Sequence, residues 1–152
     1  MYQHDGVCFE FPELWEVTDD DGDEIIRAIN IECPNDGYYS IDIYNLEQAP
    51  SLESYIERSL KYFINELPFH CKIKGQPIRE IEHAVNQNTE TEGLKLKFTV
   101  RAFFILKIGY INSYFRVVSG NKVSFISSQY PNESAVESED GFNKILSSYT
   151  IV

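Results

Sequence analysis

Leu94, Leu96, Phe98, Val100, Ala102, Phe104 and Leu106 alternate with Lys95, Lys97, Thr99, Arg101, Phe103, Ile105 and Lys107. Side chains two apart share a face of a strand, so this pattern predicts one long strand with an apolar face and a mixed face. A turn is expected near Lys107-Ile108-Gly109, then a strand over residues 110–118 in which Tyr110 and Tyr114 share a face. Ser119-Gly120-Asn121-Lys122 has hairpin composition, and residues 123–130 are the return strand.

Elsewhere the period changes. Leu52, Tyr55, Ile56, Ser59, Leu60, Phe63, Ile64 and Leu67 recur at steps of three and four, which gathers them on one stripe of a helix. Ser51 suits the N-cap, because its hydroxyl accepts a free amide hydrogen of the first turn. Glu53, Glu57, Arg58, Lys61 and Glu66 take the other side, and Pro68 ends the helix. Near the C-terminus Ser134 and Glu137 have capping-box spacing, and Phe142, Ile145, Leu146 and Tyr149 form one helical face. Gly141 weakens that helix, since glycine is a poor helix former.

Shorter strand patterns cover residues 7–11, stopped by Pro12, then 24–32 (EIIRAINIE) and 38–44 (YYSIDIY). Pro34-Asn35-Asp36-Gly37 is the turn between the last two. Residues 71–74 and 78–85 read as two strands divided by Gly75-Gln76-Pro77, and residues 86–93 as a polar loop. Trp15, the single tryptophan, is expected to fold back as a core plug. Consecutive hairpins make an antiparallel sheet, and two one-faced helices must bury their stripes against it. The expected fold is therefore α+β: one domain over residues 1–152, an α/β/α sandwich around a central antiparallel sheet of about six strands.

Composition narrows the class. A chain of 152 residues, 43% hydrophobic and 14% aromatic, suits a folded domain rather than disorder. The longest apolar run, residues 102–106, is far short of a membrane span. The N-terminus has neither a basic nor an apolar signal region, so a cytoplasmic location is expected. A net charge of −11 argues against nucleic acid and membrane surfaces as partners. That charge is uneven: residues 1–50 hold thirteen acids against Arg27 alone, whereas residues 51–152 hold eleven acids against twelve Lys and Arg. The acidic half either serves solubility or attracts a basic partner.

Three features together resemble the PsbP-like superfamily. They are Phe9-Glu10-Phe11-Pro12-Glu13-Leu14-Trp15 after a first strand, a helix opening Ser51-Leu52-Glu53-Ser54-Tyr55-Ile56, and long antiparallel strands before a helix ending at Ile145-Leu146-Ser147-Ser148-Tyr149. That superfamily includes the photosystem PsbP subunit, the Ran-binding Mog protein, the bacterial DcrB proteins and the DcrB-like chaperones of type VI secretion effectors. The resemblance implies an α/β/α sandwich, and a protein that binds other proteins rather than an enzyme.

Candidate chemistry is sparse. Asp19, Asp20, Asp21, Asp23 and Glu24 suggest a calcium loop, but its sixth position would be Glu24 instead of glycine and its twelfth Asn30 instead of glutamate. A solvated acidic turn, or a contact for a basic partner, fits better. His4, His70 and His83 have no metal-site spacing, and no nucleophile elbow, phosphate loop or dinucleotide fingerprint occurs. Strand alternation would send Glu82 and His83 to opposite faces. Cys8, Cys33 and Cys71 are odd in number and form no CxxC pair, as expected of reduced core thiols. No cofactor or metal is expected.

Phe103, Ile105, Tyr110 and Tyr114 have two readings. Both sheet faces are core beneath the two helices, or one face keeps an apolar patch that holds a partner's helix or strand. The leading functional expectation is a non-enzymatic, cytoplasmic adaptor or chaperone whose partner is another protein. An acidic inhibitor of a basic toxin is the alternative, and a small hydrolase without a recognisable motif is third.

Overall fold

A computed structural model describes residues 1–82 and 90–152. In chain order its elements are β1 (Tyr2–His4), β2 (Val7–Phe9), β3 (Glu16–Gly22), β4 (Ile26–Glu32), β5 (Tyr38–Asn45) and α1 (Leu52–Glu66). There follow β6 (Cys71–Glu82), β7 (Glu90–Ala102), β8 (Leu106–Ser119), β9 (Lys122–Pro131), α2 (Ala135–Ser148) and β10 (Thr150–Ile151). The main sheet runs β3-β4-β5-β9-β8-β7-β6, every pair antiparallel, and β1-β2-β10 form a small second sheet. The central sheet thus has seven strands, one more than the pattern suggests.

Each face of the main sheet has its own core. Tyr39, Ile41 and Ile43 of β5, with Phe115 and Ile126, meet Phe142 and Ile145 of α2 and Tyr149, the residue after it. Val7, Phe9 and Trp15 complete that layer. On the opposite face Tyr55 and Ile56 of α1 pack on Leu96, Phe98, Tyr114 and Phe125. The Ser51 hydroxyl accepts the Ser54 amide hydrogen at 3.2 Å, so the helix starts where its cap predicts. Trp15 is 7% exposed and lies 4.3 Å from the Tyr39 ring, as a core plug should. The three cysteines are free and half-buried, and Cys33 and Cys71 pack against the two cores.

Several boundaries differ from the pattern. Residues 71–82 form one strand, not two; Gly75 has φ +73° and absorbs a register shift between Lys74 and Ile78. The expected loop at 86–93 is strand from Glu90 onward, while the expectations for residues 83–89, His83 among them, lie outside the described residues. The turn expected at Lys107-Ile108-Gly109 falls four residues earlier. Strand β7 stops at Ala102, which pairs with Leu106, so Phe103, Phe104 and Ile105 form the hairpin loop. Phe103 (φ 53°) and Phe104 (φ 61°) take the left-handed conformation that such a reversal requires.

The acidic segment is also not a simple turn. Asp19, Asp20 and Asp21 lie in β3, an edge strand paired to β4 with a register shift between Val17 and Asp19. Only Asp23, Glu24 and Ile25 make the reversal. Aspartate is a poor strand former, but on an edge it keeps its side chains in water, and charge there discourages pairing with another chain.

Candidate functional site

Among the described residues, two places bring together side chains that packing does not explain. The first is the β7–β8 hairpin end. Phe104 is 88% exposed and Ile105 82%, and the adjoining Phe69, just before β6, is 95% exposed. The Phe103 ring stacks on His70 at 4.2 Å, and its amide donates to the His70 carbonyl at 3.3 Å. The Arg101 guanidinium lies 5.7 Å over the Phe104 ring. Lys72, Lys74 and Lys107 flank the loop, all exposed. The neighbouring Lys107 ammonium lowers the Lys74 pKa, so positive charge is concentrated here. Residues 93–132 contain six Lys and Arg and no Asp or Glu.

Of the four residues singled out by pattern, Phe103 and Ile105 reach this surface. Tyr114 is 2% exposed beneath α1, and Tyr110 packs on Phe63 and Phe98. A patch joining all four does not form, because Phe103 and Ile105 sit in a loop instead of on a strand face. Phe69 and Phe104 were not visible as site residues: Pro68-Phe69 reads as a helix end, and Phe104 reads as core.

The acidic edge divides in the same way. Asp20 accepts from Arg27 Nε and Nη2, both at 2.8 Å, from the Tyr2 hydroxyl, and meets His4 Nδ1 at 3.0 Å. The Arg27 guanidinium holds the Asp20 carboxyl well below the usual carboxylate range. Asp23 Oδ1 accepts the Ile26 and Ile25 amides, closing the reversal and lowering its own pKa. These two carboxylates hold structure, whereas Asp19, Asp21 and Glu24 stay exposed.

The second place is a hollow of about 550 Å³ between α1 and the sheet. Strand β5 turns Tyr39, Ile41 and Ile43 to α2, so Ser40, Asp42 and Tyr44 face α1. Ser127 and Gln129 of β9 continue this floor, and the Ser40 and Ser127 hydroxyls are 2.7 Å apart. Tyr55 donates to Asp42 Oδ2 at 2.7 Å while its ring stacks on Phe125 at 4.2 Å. Burial raises the Asp42 pKa, and the Tyr55 hydrogen bond partly opposes this. Arg58 and Glu66 of α1 line the mouth with Tyr38 and Tyr62. None of these was visible as a site, because alternation in YYSIDIY says only that two faces differ.

Among the described residues no three His, Cys, Asp or Glu side chains are grouped to hold a metal ion, and no helix is long and apolar enough to cross a membrane.

No protein-family model and no curated protein matches the chain. Solved structures do. The solution structure of cyanobacterial PsbP (CyanoP) from Synechocystis aligns over 97% of this chain and 88% of that one, with a TM-score of 0.57 and 14% identity. LpqN of Mycobacterium tuberculosis, described as involved in cell envelope biogenesis, aligns over 96% and 83%, with a TM-score of 0.46 and 12% identity. The chain has the PsbP-like fold, and at this identity the likeness concerns fold alone.

Proposed function

We propose that this PsbP-like fold serves as a non-enzymatic protein-binding module, a cytoplasmic adaptor or chaperone, which docks its partner on the β7–β8 hairpin end. One observation carries the proposal: a strained loop presents aromatic and aliphatic side chains to water. Each left-handed non-glycine residue costs of order 1–3 kcal/mol. A hairpin selected for stability uses Asn-Gly at these positions. Phe103 is braced by its stack on His70, while Phe104 and Ile105 are left facing water, and together they make a rigid apolar wedge.

The surrounding charge indicates the partner's chemistry. Lys72, Lys74, Arg101 and Lys107 complement a segment that carries acidic residues beside its apolar ones. An anionic bilayer has the same local complement, but the net charge of −11 repels it at longer range.

Peptide-display selection tests this reading. Wild-type protein is expected to enrich peptides that combine apolar with Asp or Glu residues, and a Phe104→Ser, Ile105→Ser variant to lose them while unfolding at an unchanged temperature. Retention of the same peptides by the variant, or insertion of the loop into lipid vesicles without peptide binding, would overturn it.

The exposed row Asp19, Asp21 and Glu24 supports a second reading, in which the β3 edge captures a basic protein as an inhibitor does. Slower association in low salt after Asp19→Lys and Asp21→Lys would favour it.

A further inference from the structure

The geometry points to a binding site for an organic ammonium group in the hollow beneath α1, distinct from the hairpin end. Asp42 stands on its floor with one hydrogen bond, from Tyr55, and takes part in none of the ion pairs among the described residues. Tyr38, Tyr44, Tyr55, Tyr62 and Tyr114 line the same hollow. The hollow's volume, about 550 Å³, is ordinary for a small-molecule site.

Other ligand classes fit less well. A carboxylate half-removed from water is costly unless a cation meets it, so an uncharged apolar ligand would leave Asp42 worse off. An anion would face both Asp42 and Glu66 with Arg58 as the one cation of the lining. A hard metal cation needs six or more oxygen ligands led by carboxylates, whereas Asp42 and Glu66 are the two carboxylates of this lining and no third metal-ligating side chain joins them among the described residues. Tyrosine faces attract alkylammonium groups through the ring quadrupole, and one carboxylate supplies the countercharge. Tyr38 and Tyr62 are 49% and 69% exposed at the mouth, so the rings are accessible to a ligand.

This chemistry has two sources, a free amine or a lysine side chain of a protein. Choline and N-acetyl-lysine methylamide separate them, and dimethylbutanol, the neutral isostere of choline, isolates the charge. Amide-resonance titration of the whole chain is the readout. One of the two cations should shift residues of α1, β5 and β9 saturably, and dimethylbutanol should not. Asp42→Asn should weaken that binding about tenfold or more, while keeping the fold because its amide oxygen can still accept from Tyr55. Tyr62→Ala should weaken it about three- to tenfold. Equal binding of the neutral isostere, unchanged affinity in Asp42→Asn, or no saturable shift with either cation would each overturn the assignment.

Discussion

Gly141 of α2 lies against the indole of Trp15: a Cβ placed on Gly141 would stand 2.3 Å from both Cη2 and Cζ2. No side chain fits at that distance. The indole cannot retreat, because Tyr39 packs on it at 4.3 Å. The glycine that lowers helix propensity is thus the contact that lets α2 close over the chain's single tryptophan.

Gly141→Ala should therefore destabilise the protein, against the usual helical gain of about 1 kcal/mol. Overpacking of this kind costs about 1–3 kcal/mol, and thermal unfolding should show a lower Tm. Paired with Trp15→Phe, which vacates part of the space, the alanine should cost less than it does alone.

The Asp20–Arg27 contact should make stability fall with acid. The folded Asp20 carboxyl titrates far below its ordinary value near 3.8, so its contribution is fully present above about pH 4 and fades as pH falls toward the folded value. At neutral pH Asp20→Asn should cost about 1.5–3 kcal/mol, the range for hydrogen bonds to charged groups. Denaturant titrations of both proteins between pH 7 and pH 2 should show the gap between them narrowing toward the acid end.

Much of the fold can be read from the residues. The stripe from Leu52 to Leu67 has one helical solution, and Ser51 marks its start. The β7–β8 hairpin shows where reading stops. Alternation continues through Phe103 and Phe104 as though the strand went on, and the nearest glycine, Gly109, attracts the turn. Yet Gly109 lies inside β8 and makes no turn; the Asn132 side-chain amide rests over it, 2.3 Å from where a Cβ would stand. The turn falls on residues whose conformation costs energy, a choice that local propensity does not disclose. The hollow was hidden too, since Asp42, Tyr55 and Ser127 come from three elements, brought together by the pairing of β5 with β9 and the packing of α1 on the sheet.

Replacing Phe103 by Asn and Phe104 by Gly should stabilise the hairpin by about 1 kcal/mol or more, because both accept positive φ. The same change should abolish docking at this end. Thermal unfolding would report the gain, and display selection against the double variant would report the loss. A lower Tm would show that the aromatic side chains support the fold after all.

The most direct test of the docking surface is site-specific photo-crosslinking, with the reactive group placed either at position 104 or at position 136. Val136 is 77% exposed on α2, outside the β7–β8 loop, and serves as the control. A discrete protein adduct from position 104, absent from position 136 and diminished by high salt, is the predicted result. Adducts of equal yield from both positions, or lipid adducts alone from position 104, would contradict it.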